Sequence, residues 1–391
     1  EMPAIPVDKN VRIGQLENGL TYYIRHNALP ENRVEFYIAQ KVGSIQEEPQ
    51  QRGLAHFLEH MCFNGTKNFP GDERGLGIVQ WCESKGIKFG TNLNAYTSVD
   101  ETVYNISNVP ATNENVVDSC LLILHDWSSA VLLQDKEIDK ERGVIHGEWA
   151  MSNSAIQRLF ERSLPAMYPD SRYGHRLPIG IMEVVDNFKP QELRDYYEKW
   201  YHPENQAIII IGDIDVDYTE NKIKEFFSGI KKGPKAASIS PIAVPDNKEA
   251  IYIFDKDKEM PYTIMSVNMK CDPMPREMRG TQVAYIQGYM TAMMRTMFSS
   301  RISELSQQPD CPFVQLSMGY GTYGVSKVKD ALSADVVAKE GKDKEAFATM
   351  LREIKRVKEH GFTATEYVRA KEQFLSYREK EYSNQIGRAS C

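Results

Sequence analysis

The chain has 391 residues, of which 41% are hydrophobic and 26% are charged, and its formal net charge is −7. At about 100–200 residues per domain, this length and composition predict a globular protein of two or three domains. Because Lys and Arg are mixed with Asp and Glu along the whole chain, the composition excludes a basic nucleic-acid surface, and no apolar run approaches the ~20 residues that span a bilayer.

The cysteine content and the first residues give little information about the cellular compartment. The six cysteines include no CxxC pair, which argues against a thiolate zinc site and against a thioredoxin-like site. Residues 1–6 lack the basic start and the apolar stretch of a signal peptide. Two interpretations follow: a cytoplasmic protein, or a chain that begins at a mature N-terminus.

The first 230 residues alternate strand patterns with amphipathic helix patterns. Residues 12–25 predict a hairpin, 34–42 alternate as another strand, and the isoleucine run in 206–212 is typical of a buried strand. The other predicted segments are a helix from Gly53 to about 64–66, a helix at 75–85, two short strands within 91–106, helices at 113–130, 135–154 and 191–200, and a short helix at 223–229.

Residues 231–247 contain three prolines among Ala, Ser and Lys, which is the composition of a linker. After it the patterns restart, with strands at 250–254 and 262–269, a helix at 278–307, strands near 314–323 and 331–337, a helix at 342–359 and a charged helix from 363 through 366–382. This order is similar to that of the first half, and no returning strand follows the last helix. We interpret it as an internal duplication with a truncated second copy; residues 387–391 have no evident structural role.

These patterns predict the α+β class. The expected architecture is two related units, each an antiparallel sheet with helices mainly on one face.

The segment His56-Phe57-Leu58-Glu59-His60 carries two histidines four residues apart and a glutamate just before the second. On a helix, positions i, i+3 and i+4 share a face, so the three polar side chains converge. Two imidazoles on one face suit a small divalent metal, above all zinc, and the glutamate is placed to deprotonate a water. The competing interpretation is an ordinary helix that carries two histidines.

Two histidines need at least one more protein ligand. Glu141 and Glu148 lie seven residues apart on the predicted helix at 135–154, and therefore on one face together with Val144 and Ile145. Two carboxylates on a partly apolar face are costly to bury unpaired, and a metal could satisfy one of them. The alternative is that both are solvated on a polar face.

These segments resemble the pitrilysin/insulysin zinc peptidases, the inverted-motif zincins of family M16. The resemblance rests on His56 to His60, on the residues that follow them (Met61, Phe63, Asn64, Gly65, Thr66), and on the segment from Glu141 to Glu148. It implies that His56, His60 and Glu148 bind one zinc ion. It also implies that Glu59 is the general base and that Glu141 is a supporting catalytic carboxylate.

Further segments extend the resemblance. Asn94-Ala95-Tyr96-Thr97 is similar to the family's edge strand, which pairs with the substrate backbone by β-augmentation. Residues 200–205 and 208–213 resemble the segment that closes the family's first domain, and Phe298–Ile302 is similar to part of its long helix. The implied domains are a zinc-binding catalytic peptidase domain at 1–230, a linker at 231–247 and an incomplete, non-catalytic, repeat-like domain at 248–391, which contains no HxxEH.

The resemblance implies a zinc-dependent endopeptidase that hydrolyses peptide bonds of unfolded peptides with a water activated by zinc and Glu59. In the family a second half, on the same chain or a separate one, closes a chamber over the zinc domain and supplies an Arg and a Tyr that act on the substrate. The expected partners are therefore a peptide substrate and such a second half, with neither nucleic acid nor a membrane span. A periplasmic or envelope location follows from bacterial relatives with cleaved export signals, and a cytoplasmic one is the alternative.

Two rival functions compete with this interpretation. One is a non-catalytic structural or partner subunit, or an inactive half-enzyme, of the same fold. Relatives of the structural kind usually lack the intact motif or the third glutamate, whereas all five chemical positions are filled here. The other rival is a small zinc lyase of the autoinducer-synthesis type, against which the length, the two-unit order and the missing cysteine pattern count.

Overall fold

The computed structural model describes residues 3–385, so the interpretation of 387–391 lies outside the described residues. The described chain folds into two compact units. The histidine unit comprises Val7–Ser154 and Arg172–Ile242, and the C-terminal unit comprises 3–6, Ala155–Ser171 and Ala243–Asn384.

Strands and helices are mixed in both units, which confirms the predicted α+β class. The strands are β1 Val11–Gln15, β2 Thr21–His26, β3 Arg33–Gln40, β4 Leu93–Thr97, β5 Thr102–Pro110, β6 Gln206–Gly212, β7 Ile264–Cys271, β8 Phe313–Tyr323 and β9 Ser326–Ala338. The α-helices are α1 Leu54–Met61, α2 Ile78–Ser84, α3 Glu114–Ser129, α4 Asp135–Ser152, α5 Ala155–Met167, α6 Met182–Asn187, α7 Pro190–Trp200, α8 Val216–Phe227, α9 Gln282–Ser306, α10 Asp343–His360 and α11 Ala364–Gln385. Within residues 3–385, none of these helices is long and apolar enough to cross a bilayer.

The histidine unit contains a six-stranded sheet in the order β1-β2-β6-β3-β5-β4. Strand β3 alternates buried and half-buried residues, with Val34, Phe36 and Ile38 fully buried, as a strand covered on one face requires. The sheet is antiparallel except for one parallel pair, β2 with β6, which the prediction of an antiparallel sheet did not include. Strand β6 returns through helices rather than through a hairpin, and such a crossover permits a parallel pair.

The C-terminal unit contains a three-stranded antiparallel sheet in the order β7-β9-β8. Its core is formed between this sheet and helices α9 and α10, with Phe298, Phe313, Val336 and Met350 buried. The predicted strand at 250–254 is wrong, because these residues have no regular structure. A strand needs a neighbour that pairs with its backbone, and no described segment pairs with this one.

Several boundaries differ from the sequence prediction. Helix α1 ends at Met61 rather than near 64–66, and helices α5 and α6 were missed. Helix α5 contains Pro165, which is typical of a helix break. The domain limits at 230 and 248 stay a prediction, although Ala155–Ser171 folds with the C-terminal unit.

The start of α1 is fixed by two glycines and a buried carboxyl group. The N-cap Gly53 has φ +115°, which favours glycine, and a Cβ on Gly180 would lie 2.3 Å from its Cα. Glu47 is fully buried, and its Oε1 accepts a hydrogen bond of 2.9 Å from the Ala55 amide in the first turn of α1. Burial raises the pKa of Glu47 to about 8, although backbone hydrogen bonds and Arg176 act in the opposite direction.

Glu47 therefore makes folding depend on pH. Because its pKa is higher in the folded than in the unfolded state, its contribution to stability is complete below its ordinary pKa of 4.5 and is lost as pH rises through about 8. Between these values the free energy of unfolding should fall as pH rises, with a slope that approaches about 1.4 kcal/mol per pH unit. We predict that Glu47→Gln removes this slope. Urea unfolding of both proteins at pH 5, 7 and 9, followed by helix circular dichroism, measures it.

The control is Glu48→Gln, since the Glu48 side chain is 46% exposed and its neutralisation should leave the slope in place. Parallel stability curves for Glu47→Gln and the unchanged protein from pH 5 to 9 would contradict a buried, neutral Glu47.

Candidate metal centre

Helix α1 presents its two histidines to helix α4. The apolar side chains of Leu54, Phe57 and Leu58 are fully buried in the core of the histidine unit. The opposite side of α1 packs against α4, and His56 and His60 project from it. A one-turn separation places both imidazoles on the side that faces α4.

Three donor groups meet between α1 and α4. His56 Nε2 lies 3.3 Å from His60 Nε2 and 3.5 Å from Glu148 Oε1, and His60 Nε2 lies 3.3 Å from Glu148 Oε2. One ligand atom from each of the three residues lies within 4.8 Å of the other two. Within the described part of the chain, this is the group of His, Cys, Asp and Glu side chains with the geometry to hold a metal ion.

The donor set fits zinc. Two imidazole nitrogens and one carboxylate are a donor set of catalytic zinc sites, in which a fourth position stays open. Ligand atoms about 2.1 Å from a tetrahedral ion lie about 3.4 Å apart, close to the distances of 3.3–3.5 Å between these donors. The hydrogen bond from His56 holds the pKa of Glu148 below its ordinary value, which keeps this carboxylate ionised.

Glu141 orients His60 rather than joining the three donors. Its Oε1 accepts a hydrogen bond of 2.7 Å from His60 Nδ1, and its Oε2 accepts one of 2.6 Å from Asn64 Nδ2. A neutral imidazole that donates from Nδ1 carries its lone pair on Nε2, the atom that faces Glu148. Burial lowers the pKa of His60, but the bond to Glu141 and the nearby carboxylates outweigh burial, so that the pKa is raised overall.

An aromatic stack holds α4 against α1. The Arg142 guanidinium lies 4.2 Å from the Phe188 ring centroid and donates to the carbonyl oxygens of Val185 and Phe188. Phe188 in turn makes an edge-to-face contact with Phe57 of α1, with ring centroids 4.9 Å apart. Arg142 follows Glu141 directly, so this stack fixes the segment of α4 that reaches His60.

Glu59 is held by strand β4. It is 9% exposed, and its Oε2 accepts a hydrogen bond of 2.5 Å from Thr97 Oγ1. The hydroxyl of Thr97, predicted to contact substrate, is therefore engaged with the predicted base.

The other predicted substrate-binding residues lie along the same strand. Strand β4 is the last strand of the sheet, and β5 is the one strand that pairs with it; on its other edge Leu93 bridges to Phe89. Beyond Leu93, that edge is open among the described strands. Asn94 donates to the Gly90 carbonyl at 3.1 Å, Ala95 is half-buried, and Tyr96 donates to Glu101 at 2.9 Å. Burial and the bond to Glu101 raise the pKa of Tyr96 to about 12.

Sequence reasoning missed four residues that support this centre: Glu47, Asn64, Arg142 and Phe188. Asn64 belongs to a segment that carries the family resemblance, but nothing in its neighbourhood indicates that it bonds a carboxylate 77 residues away. For Arg142 the sequence did offer a signal: it lies beside Glu141 on a helix with a partly apolar face, where a cationic side chain is expected to pack.

Comparison with known proteins assigns the family. The family model described as "Insulinase (Peptidase family M16)" matches residues 23–177, and the model described as "Peptidase M16 inactive domain" matches residues 187–374. The chain is 31% identical over 367 residues to a protein of Escherichia coli named "Probable zinc protease PqqL". This match covers 93% of the chain but 38% of the relative, so the chain spans well under half of that protein's length.

Two solved structures show the same fold as this chain. The structure described as the first half of the periplasmic protease PqqL from Escherichia coli matches with a TM-score of 0.85 and 30% identity, over 99% of this chain and 80% of that one. The structure of the periplasmic protease PqqL itself matches with a TM-score of 0.84, over 99% of this chain and 42% of that one. With both family models in chain order and the same fold in a relative, this chain belongs to the insulinase (M16) family of zinc peptidases.

Proposed function

We propose that this chain is the zinc-binding part of a metalloendopeptidase that cleaves unfolded peptides. The observation that carries the proposal is the convergence of His56, His60 and Glu148 within 4.8 Å beside Glu59. When bound, zinc supplies Lewis-acid polarisation of the scissile carbonyl and lowers the pKa of water. The remaining chemistry belongs to the side chains of the chain itself.

Glu59 acts as the general base and then as the general acid. Its carboxylate takes a proton from the attacking water and returns it to the nitrogen of the leaving amine. Thr97 is a positioning residue, because its bond to Glu59 Oε2 restricts the rotation of the carboxylate. Glu141 positions His60 through Nδ1 in the same indirect way.

The open edge of β4 accepts the substrate as an added strand. Backbone pairing along an edge strand gives affinity without demanding a particular side chain, and it requires an extended, unfolded segment. Because Thr97 lies at the end of β4 and bonds Glu59, the strand that holds the substrate also holds the base.

A second family half and a periplasmic location complete the proposal. The relative from Escherichia coli is described as a periplasmic protease, and this chain covers 42% of its structure. We infer that a further half closes over the site in the functional enzyme. Fractionation of cells that express the native gene tests the location, and recovery of the protein in the cytoplasm would refute it.

The function is tested with the zinc-loaded chain and a fluorogenic unfolded peptide, with and without chelator. Chelator-sensitive cleavage supports the endopeptidase. One zinc per chain without cleavage would identify a half-enzyme that depends on its other half, and absence of zinc binding would identify a structural subunit of the same fold.

We predict that Glu59→Gln binds zinc like the unchanged chain and loses at least 100-fold in kcat, because general acid–base catalysis contributes roughly 10²–10⁴-fold. His60→Ala should lose both zinc and activity. Metal analysis beside the peptide assay separates the two effects. Cleavage by Glu59→Gln at nearly the unchanged rate would refute its role as base.

We predict that Glu141→Gln weakens zinc binding about 10–100-fold, since groups that orient a metal-bound histidine contribute that much to affinity. Competition with a chromophoric chelator measures the dissociation constant. The matched control is Glu137→Gln on the same helix, where Glu137 pairs with Lys140, and it should leave zinc affinity unchanged. Equal affinities for the two variants would show that Glu141 has no influence on His60.

We predict that Thr97→Val lowers kcat about 10-fold with zinc content and KM unchanged, because a hydrogen bond to a charged group contributes about 1.5 kcal/mol. Thr97→Ser keeps the donor and should restore most of kcat. If Thr97 served substrate contact instead, Thr97→Val would raise KM and leave kcat nearly unchanged.

A further inference from the structure

The loop of residues 62–70, which follows α1, is attached to the end of helix α3. Asp126 of α3 has no exposed surface, and its carboxyl group accepts hydrogen bonds of 2.7 Å from the Thr66 hydroxyl, the Asn68 amide and the Asn68 side chain. Its Oδ1 also lies 3.0 Å from His125 Nδ1. A carboxyl group is costly to bury without such partners, so the position of Asp126 fixes the position of residues 66–68.

The next residue of α3 holds the start of the same loop. Trp127 is fully buried, and its Nε1 donates a hydrogen bond of 2.9 Å to the carbonyl oxygen of Cys62, the residue that caps the end of α1. Two consecutive residues of α3 therefore bind the loop at residue 62 and at residues 66–68. Asn64 lies between these two points of attachment.

Backbone hydrogen bonds join the loop to the linker between α3 and α4. The Lys67 amide donates to the Ala130 carbonyl at 2.9 Å, and the Leu132 amide donates to the Gly65 carbonyl at 3.1 Å. The linker leads directly into α4, which begins at Asp135. The loop is thus placed relative to both of the helices that carry the candidate metal ligands.

Asn64 connects the loop to the metal centre. Its Nδ2 donates a hydrogen bond of 2.6 Å to Glu141 Oε2, and the other oxygen of Glu141 accepts one of 2.7 Å from His60 Nδ1. One oxygen of this carboxyl group is therefore held by the loop while the other orients an imidazole. A continuous series of hydrogen bonds and short backbone segments runs from Asp126 to His60.

We propose that Asp126 is a positioning residue for the zinc site and that it acts through Asn64 on Glu141. The hydrogen bonds of its carboxyl group go to the loop and to the adjacent His125, so its influence on the zinc ligands is indirect. Fixing the group that orients a metal-bound histidine preserves affinity, because less conformational freedom is lost when the ion binds. The inference rests on the proposed function, since it concerns the affinity of the proposed zinc site.

A double-mutant cycle on zinc affinity tests this route. Asp126→Asn keeps the size of the side chain but turns one acceptor oxygen into a donor that faces other donors, and Asn64→Ala removes the bond to Glu141. Each variant should weaken zinc binding about tenfold, as groups that orient a metal-bound histidine do. The double variant should bind about as weakly as either single variant, because both changes interrupt the same series of contacts. Competition with a chromophoric chelator measures the dissociation constants.

Asp118→Asn is the matched control. Asp118 also lies on α3 and accepts hydrogen bonds of 3.0 and 3.1 Å from the Tyr218 hydroxyl, but these bonds join α3 to α8 rather than to the loop. Its zinc affinity should equal that of the unchanged chain. Urea unfolding of the zinc-free variants measures the stability that each one loses. Visible absorption of the Co²⁺-loaded variants reports ligand geometry, which Asp126→Asn and Asn64→Ala should change in the same way.

If Asp126→Asn does not fold, Asn68→Asp replaces it. Asn68 is exposed, and a carboxyl group in its place would face the Asp126 oxygen that now accepts from Asn68 Nδ2. Because two adjacent carboxyl groups repel each other, the loop should detach from α3 and zinc binding should weaken about tenfold.

Two results would overturn the proposal. If Asp126→Asn loses stability but binds zinc within about twofold of the unchanged chain, the role of Asp126 is limited to stabilising the fold. If the losses of affinity multiply in the double variant, Asp126 acts by a route that does not include Asn64. Failure of the unchanged chain to bind zinc would refute the proposed function itself, and this inference with it.

Discussion

The contacts of Phe188 with Arg142 and with Phe57 link the two helices that carry the candidate metal ligands. An eight-residue helix such as α1 is marginal in water, so its position comes from packing rather than from helix propensity. Phe57 attaches α1 to Phe188, and Arg142 attaches α4 to the same ring. The two helices that carry the donors thus contact one aromatic side chain, and their donor atoms lie 3.3–3.5 Å apart.

Each acidic side chain at this centre has its own partner, which divides the roles among them. Glu148 faces both imidazoles, Glu141 bonds His60 Nδ1 and Asn64, and Glu59 bonds Thr97. Three carboxylates close together repel one another and favour a bound cation. The hydrogen bonds orient them differently, in keeping with the roles proposed for them: Glu148 as a zinc ligand, Glu141 as the group that orients His60, and Glu59 as the general base.

Both units contain the same three-strand arrangement, but they differ in whether a described strand covers its outer edge. In the histidine unit β6 covers the outer edge of β3, and the apolar side chains of β3 are fully buried. In the C-terminal unit the equivalent edge of β7 is open among the described strands, and Met269 is exposed. The open edge of β4 is the one that the proposed function assigns to a substrate.

The sequence by itself determined the features that depend on local geometry. The spacing of His56 and His60 places both imidazoles on one helix face wherever that helix lies, and the seven-residue spacing does the same for Glu141 and Glu148. The amphipathic helices and most strands were predictable for the same reason. The family resemblance added the assignment of Glu148 as ligand, which the spacing had left open.

Only the tertiary structure decided which of these faces meet and what supports them. Nothing local pairs Thr97 with Glu59, 38 residues away, or His60 with Glu141, 81 residues away. Nor could the sequence reveal that β2 and β6 run parallel, or that 251–254 remains irregular despite its strand pattern. The physical reason is the same in each case: a strand or a buried charge takes its state from the partner that packing brings to it, and that partner comes from a distant part of the chain.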